Sequence, residues 1–198
     1  MQTAAKNILL SLTLGLMVFT AVNLGAQSTF GIRGGLNASN ISFDKLSERG
    51  ERLGFHVGVF ADVPVVPDFF SLQPELSYST KGTAYDVLNE RQSLNMSYVD
   101  FHLPVAFKLS TVDLQVGPFA SYLISKPDFT VFDENRVVVD AFNAFDAGLT
   151  AGLSFNFNKV LLGIRYNQGF VNVSKDNAET LLGKGKNAVG QVSLGYRF

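Results

Sequence analysis

The sequence contains no cysteine. That excludes disulfides, thiolate metal sites and a cysteine nucleophile. It also excludes an N-terminal lipid anchor, which needs a cysteine after its signal. Charge is scarce: Asp, Glu, Lys and Arg make up 17% of the chain, against about a quarter in ordinary soluble domains. The net charge is -1, so no basic field points to nucleic acid. Histidine occurs only as His56 and His102, too few to build a zinc site without carboxylate help. What is plentiful is apolar and small: 46% of the 198 residues are hydrophobic, with 18 Gly and 18 Phe. The length fits one domain.

Lys6 is the one charge before Arg33. An apolar run follows from Ile8 to Leu24, interrupted by Ser11, Thr13 and Asn23, and Gly25-Ala26-Gln27 offers a small-residue cleavage site. This is the pattern of a secretory signal peptide. The run is short for an uncleaved membrane helix, and no polar soluble domain follows it. Residues 1–26 are therefore expected to be the signal peptide and residues 27–198 the barrel domain derived next.

From Thr29 onward the hydrophobic period is two, not 3.6. Phe30, Ile32 and Leu36 oppose Arg33, Gly35 and Asn37; Phe55, Val57, Val59 and Ala61 oppose His56, Gly58 and Asp62. Phe70, Leu72, Leu76 and Tyr78 alternate with Ser71, Gln73, Glu75 and Ser77. Val99, Phe101, Leu103, Val105 and Phe107 alternate with Asp100, His102, Ala106 and Lys108. Val112, Leu114, Val116, Ala120 and Tyr122 oppose Asp113, Gln115, Gly117 and Ser121. The same alternation runs through Phe145 to Phe155, Leu162 to Tyr166 and Val192 to Phe198. These eight segments mostly have the length to cross a bilayer as strands.

Their connections alternate. Ala38 to Arg52, Thr80 to Met96, Ser125 to Phe142 and Gln168 to Asn187 are long; Val63 to Asp68, Ser110-Thr111 and Asn158-Lys159 are short. Short turns on one side and long loops on the other describe an all-β, eight-stranded antiparallel up-and-down transmembrane β-barrel of the bacterial outer membrane. Of nine Lys only Lys108, and of six Glu only Glu75, fall within these strands. The polar face instead carries small residues and nearly balanced charges: Arg33, Lys108, Arg165 and Arg197 against Asp62, Glu75, Asp100, Asp113 and Asp146. Unpaired charges inside a narrow barrel would be costly, so a lumenal salt-bridge network is predicted. Two aromatic belts are also predicted, Tyr78, Tyr98, Tyr122 and Tyr166 at the outer rim and Phe30, Phe69, Phe70, Phe107, Phe155, Tyr196 and Phe198 at the periplasmic rim.

Several stretches resemble the PorT-like outer-membrane β-barrel family of bacteria. They are Gly31-Ile32-Arg33-Gly34-Gly35-Leu36-Asn37, Leu72-Gln73-Pro74-Glu75-Leu76-Ser77-Tyr78 with Lys81-Gly82, and Tyr98-Val99-Asp100-Phe101-His102-Leu103-Pro104. Gly117-Pro118-Phe119-Ala120-Ser121-Tyr122-Leu123, Gly163-Ile164-Arg165-Tyr166-Asn167-Gln168-Gly169-Phe170 and Tyr196-Arg197-Phe198 complete the set. The resemblance covers nearly the whole chain after the signal. It implies fold and location more than activity: family members share no catalytic motif, and some assist protein secretion. Val192, Leu194, Tyr196 and Phe198 alternate up to an aromatic carboxy-terminus, which resembles the signal read by barrel-assembly machinery.

Chemistry is sparse. Asp100 and His102 share a face, and with a nearby Ser they would make a hydrolase triad; the simpler reading is two histidines in the lumenal polar network. Asp128, Asp133, Glu134 and Asp140 share a long loop without EF-hand spacing. Gly183-Lys184-Gly185-Lys186 is too short for a phosphate loop, and Ser47 to Arg52 reads as a solvated loop face. The expected protein is therefore non-enzymatic, without cofactor. Its expected partners are outer-membrane lipid, the barrel-assembly machinery and a protein bound through the outer loops. The competing readings are an outer-membrane hydrolase or acyltransferase using His102 or His56, a narrow pore, and a secreted lipocalin-like barrel.

Overall fold

The computed structural model describes residues 28–43, 52–87, 90–125, 128–130, 136–138, 143–172 and 185–198. The expected signal peptide, residues 1–26, lies outside the described residues, as do residues 44–51, Asp133, Glu134, Asp140, Gly183 and Lys184 of the loops discussed above.

Twelve strands are seen among the described residues: β1 (Thr29–Phe43), β2 (Arg52–Val66), β3 (Phe70–Leu72), β4 (Glu75–Val87), β5 (Glu90–His102), β6 (Val105–Leu109), β7 (Val112–Leu123), β8 (Asp128–Thr130), β9 (Arg136–Val138), β10 (Phe145–Phe157), β11 (Val160–Gly169) and β12 (Gly185–Arg197). β8 and β9 pair only with each other, in the loop between β7 and β10. The rest form one closed antiparallel ring, because β1 pairs with β2 on one side and β12 on the other. Closure leaves no sheet edge around the body of the barrel.

Ten strands make eight staves. β3 and β4 are one stave interrupted at Gln73-Pro74, and β5 and β6 another interrupted at Leu103-Pro104. Proline has no N–H to give the ladder, so each run stops there. The gaps are closed by neighbours: Ala61 N donates to Pro74 O at 3.0 Å, Gln73 N to Pro104 O at 2.9 Å and Leu103 N to Pro118 O at 3.0 Å. The in–out alternation therefore passes through both prolines unshifted. Three tight turns close the other end of the ring. Each contains one non-glycine residue at positive φ: Asp68, Ser110 and Asn158.

The outer surface is the apolar one. Leu36 is 65% exposed, Val192 62% and Leu194 58%, while Arg33, Asn37, Glu75, Asp100 and Arg165 are buried inside. This is the inverse of a lipocalin, whose apolar face points inward. The lumen is packed by side chains, including the buried Phe60, Met96, Tyr98, Phe119, Leu161 and Val189.

Two expectations need correction. Tyr98 is not part of the outer belt: it is buried in the lumen, because it shares parity with Asp100 and His102 while Val99 and Phe101 face out. Tyr122 and Tyr166 do face out, at 54% and 51% exposed. The stretch Thr80 to Met96 is not a long loop either. β4 and β5 continue as a paired ribbon to Val87↔Glu90, so Lys81 and Glu90 lie in strands, as does Lys186 in β12. Past Lys81 the apolar alternation fades along the chain, and the sequence there reads as loop.

Candidate functional site

The inward face carries its charges in three groups. In the middle, Glu75 on β4 holds two guanidinium groups through one oxygen: Arg33 on β1 at 2.9 Å and Arg165 on β11 at 2.8 Å. All three are buried. The clamp crosses the lumen, since β2 and β12 lie between its members along the sheet. Arg33 also lies 5.0 Å above the Phe60 ring, which adds a cation–π contact in a site without bulk water.

At the short-turn end, Lys108 binds Asp62 at 2.7 Å and Asp113 at 3.2 Å. Arg197 approaches the same two carboxylates at 3.4 and 3.7 Å. Two cations against two anions leave this group neutral.

The third group, toward the long loops, centres on Lys81. Its ammonium binds Asp100 at 2.8 Å and Ser121 Oγ at 2.9 Å, and Ser79 Oγ donates to the other Asp100 oxygen at 2.6 Å. Tyr98 and Phe119 present their rings to the same ammonium at 4.8 and 5.7 Å. Lys81 was absent from the expected charge set because its segment read as a loop. Continuing the parity Glu75, Ser77, Ser79 by one more step would have placed it inside.

Asp146 departs from the expected pairing. It is buried, yet among the described residues no Lys or Arg lies within salt-bridge distance of it. Its recorded partner is Asn187 Nδ2 at 2.8 Å. The physical reason is competition: the Lys81 ammonium is already held by Asp100 and Ser121.

Neutral polar groups link the rest. Asn37 Oδ1 meets His56 Nδ1 at 2.7 Å and accepts from Gln191 Nε2 at 3.0 Å, while Asn37 Nδ2 donates to Phe55 O and Thr80 O at 3.1 Å each. Gln191 in turn accepts from Asn167 at 3.1 Å. His102 is fully buried, stacks on Phe119 at 5.6 Å and has no hydrogen-bond partner on either ring nitrogen. Among the described residues no Ser–His–Asp relay is assembled around either histidine: Asp100 faces Lys81 and Ser79, and His56 faces Asn37. A triad needs the base hydrogen-bonded to both of its partners.

The four residues of the carboxy-terminal alternation, Val192, Leu194, Tyr196 and Phe198, all face outward, at 42–69% exposed. Tyr196 and Phe198 stack edge-on at 5.8 Å, and Phe198 N donates to Phe30 O at 2.9 Å, beside the first strand.

Comparison with known proteins follows the architecture. The family described as outer membrane protein beta-barrel domain matches residues 25–175. No curated protein sequence matches the chain. The fold is similar to Neisserial surface protein A, with TM-score 0.57 and 13% identity, over 85% of this chain and 97% of that one. It is also similar to Ail, the attachment invasion locus protein of Yersinia pestis, with TM-score 0.53 and 15% identity, over 86% of this chain and 99% of that one.

Proposed function

This chain belongs to the outer membrane protein beta-barrel domain family and is a bacterial outer-membrane protein, and from that premise we propose that it is a non-enzymatic scaffold presenting its outer hairpins to a protein partner. The observation that carries the reading is the β4–β5 ribbon. Its strands stay paired with each other for eight positions past the last β2–β4 pair, His56↔Ser79, to Val87↔Glu90; Lys81 is still lumenal and Gly82 still bonded to Ser39 on β1, so the ribbon proper is the last five pairs. A rigid barrel holding an extended ribbon in the outside medium suits display and binding. The packed lumen and the unassembled histidines favour this over the pore and the hydrolase. The PorT-like motifs favour an assisting role in protein secretion for that partner contact.

The test replaces residues 83–94 by a two-residue turn and places a photo-crosslinker at Asp86 or Arg91 in the full ribbon. The expected result is a discrete crosslinked product in cells from the full ribbon, and a trimmed barrel that still folds but loses the associated phenotype. Equal phenotypes for the two chains would defeat the reading. Loss of activity on His102→Ala, in a barrel that still folds, would restore the enzyme.

A further inference from the structure

The membrane-facing wall formed by β11, β12, β1 and β2 is notched. Toward the long-loop end, Ala38 on β1 pairs with Gly190 on β12, and neither carries more than a methyl group. Tyr166 is the partner of Gly190 on β11, and Leu53 the partner of Ala38 on β2. Two residues nearer the middle stand Leu36 and Val192, themselves paired. Four large exposed side chains thus border two small positions, and the space between them belongs to a groove of about 670 Å³.

An apolar surface is what any lipid-facing strand shows; a glycine within it needs a reason. Gly190 stays in unbroken register with Ala38 and with Tyr166, so it marks no bulge. It has no positive φ. A Cβ there would meet Ala38 O at 3.9 Å, an ordinary contact. Gly35 is the contrast, since a Cβ there would run into Val192 O. Glycine weakens a strand. Where neither a bulge nor a close backbone demands it, the reason that remains is the close approach of a ligand.

The groove ends at a polar rim. Gln168 and Ala188 form the next outward pair, and Tyr166 Oη donates to Gln168 Oε1 at 3.0 Å. Asn40, the partner of Ala188 on β1, has a buried Oδ1 without a hydrogen-bond partner among the described residues. Lys186 is one outward position further along β12, exposed and without an ion pair among the described residues. It lies four residues from Gly190, about 13 Å along the strand.

We propose that this groove seats an acyl chain of the phosphorylated glycolipid of the outer leaflet, with Lys186 binding a headgroup phosphate. The order from the middle outward is apolar notch, hydrogen-bonding rim, then cation. That matches the order of chain, sugar and phosphate in such a lipid. A lysine binds phosphate as a point charge, and Asn40 Oδ1 is an acceptor for a sugar hydroxyl. The site does not involve the β4–β5 ribbon, so it stands apart from the partner contact proposed for that element.

The experiment titrates the purified full barrel, in detergent, with bis-phosphorylated lipid A and counts bound lipid by native mass spectrometry. The expected result is one retained lipid per barrel, not displaced by an equal concentration of phosphatidylethanolamine. Gly190→Leu fills the notch from β12 and should weaken retention about tenfold. Its conversion temperature on the gel should stay near that of the wild type, because the added side chain has room. Ala38→Leu fills the notch from β1 and is the second variant, with the same expected loss, should Gly190→Leu fail to fold. Lys186→Gln should weaken retention severalfold. Full retention in a folded Gly190→Leu or Ala38→Leu barrel overturns the proposal, as does full retention in Lys186→Gln. Displacement by phosphatidylethanolamine would overturn it by showing that the groove takes any acyl chain. A barrel dimer that Gly190→Leu dissociates would overturn it in favour of a second copy of the chain on this face.

Discussion

Arg165 and Glu75 are 90 positions apart in the chain and 2.8 Å apart in the lumen. Their contact ties β11 to β4 across the barrel interior, where no backbone ladder connects them. Arg33 reaches the same Glu75 oxygen from β1. One carboxylate thus links three staves and cancels part of two buried charges.

Glu75→Gln should consequently be among the most damaging isosteric changes. It leaves two buried guanidinium groups facing each other without an anion, and breaking a buried pair in this way costs about 3–5 kcal/mol. The measurement is the temperature at which the unboiled, anomalously migrating gel species converts to the unfolded one. It should fall clearly in Glu75→Gln. Adding Arg165→Met to that variant should then cost less than Arg165→Met costs the wild type, because the two groups are coupled. Additive losses would mean that the clamp does not act as a unit.

Lys81→Met separates a strand residue from a loop residue. A lysine on a solvated loop can be replaced within about 0.5 kcal/mol. In the lumen the same change strands Asp100, whose two oxygens are held by Lys81 and Ser79, and the cost should approach that of Glu75→Gln. The same gel transition reads it. A transition equal to the wild type would put Lys81 back in the solvent.

The contrast between these two residues shows what the sequence made legible. Glu75 sits between Leu72, Leu76 and Tyr78, so alternating apolar neighbours mark both its strand and its inward face. Lys81 lies past the lipid-facing stretch, where Thr83, Tyr85 and Val87 alternate with Gly82, Ala84 and Asp86 without a clear apolar face, and periodicity carries no signal. Tyr98 failed for a different reason: its chemistry suggested an interface, but its parity placed it inside. Charge pairing is a third case. Composition announced a balanced lumen, yet only three-dimensional spacing shows that Lys81 is taken up by Asp100 and Ser121 and that Asp146 has no cation in salt-bridge range among the described residues. The prolines misled little, because Pro74 and Pro104 interrupt hydrogen bonding without shifting parity.

Conductance should be absent. Phe60, Phe119 and the Glu75 clamp fill the middle of the barrel, and an eight-stranded ring leaves room for little else. The cavity at the short-turn mouth, about 580 Å³, is lined in part by Asp62 and Lys108, which are paired with each other at 2.7 Å. Purified protein in a planar bilayer should give no unitary current steps. Regular steps that disappear on re-purification would indicate a contaminating porin; regular steps that persist would defeat the closed-lumen reading.

Ser110→Gly should stabilise the barrel. Ser110 has φ 60° in the two-residue turn between β6 and β7, a conformation that costs an L-residue about 1–2 kcal/mol and glycine almost nothing. Glycine has more freedom to lose on folding, so a net gain of about 0.5–1 kcal/mol is expected. It should appear as a higher conversion temperature on the gel.

Phe198→Ala tests whether the carboxy-terminal alternation is read during assembly or simply closes the barrel. Phe198 is 69% exposed, and its packing contact is an edge-on ring pair with Tyr196. The backbone bond from Phe198 N to Phe30 O does not depend on the side chain. The folded state should therefore lose little, and the variant refolded into detergent should convert near the wild-type temperature. If the exposed ring is part of the surface that the assembly machinery grips, by pairing this last strand with a strand of its own, the amount reaching the outer membrane in cells should fall severalfold. A variant with a normal cellular level would make the ring an interfacial anchor only. A variant with both a low cellular level and a much lower conversion temperature would place the ring's contribution in stability, since a barrel that falls apart after insertion also fails to accumulate.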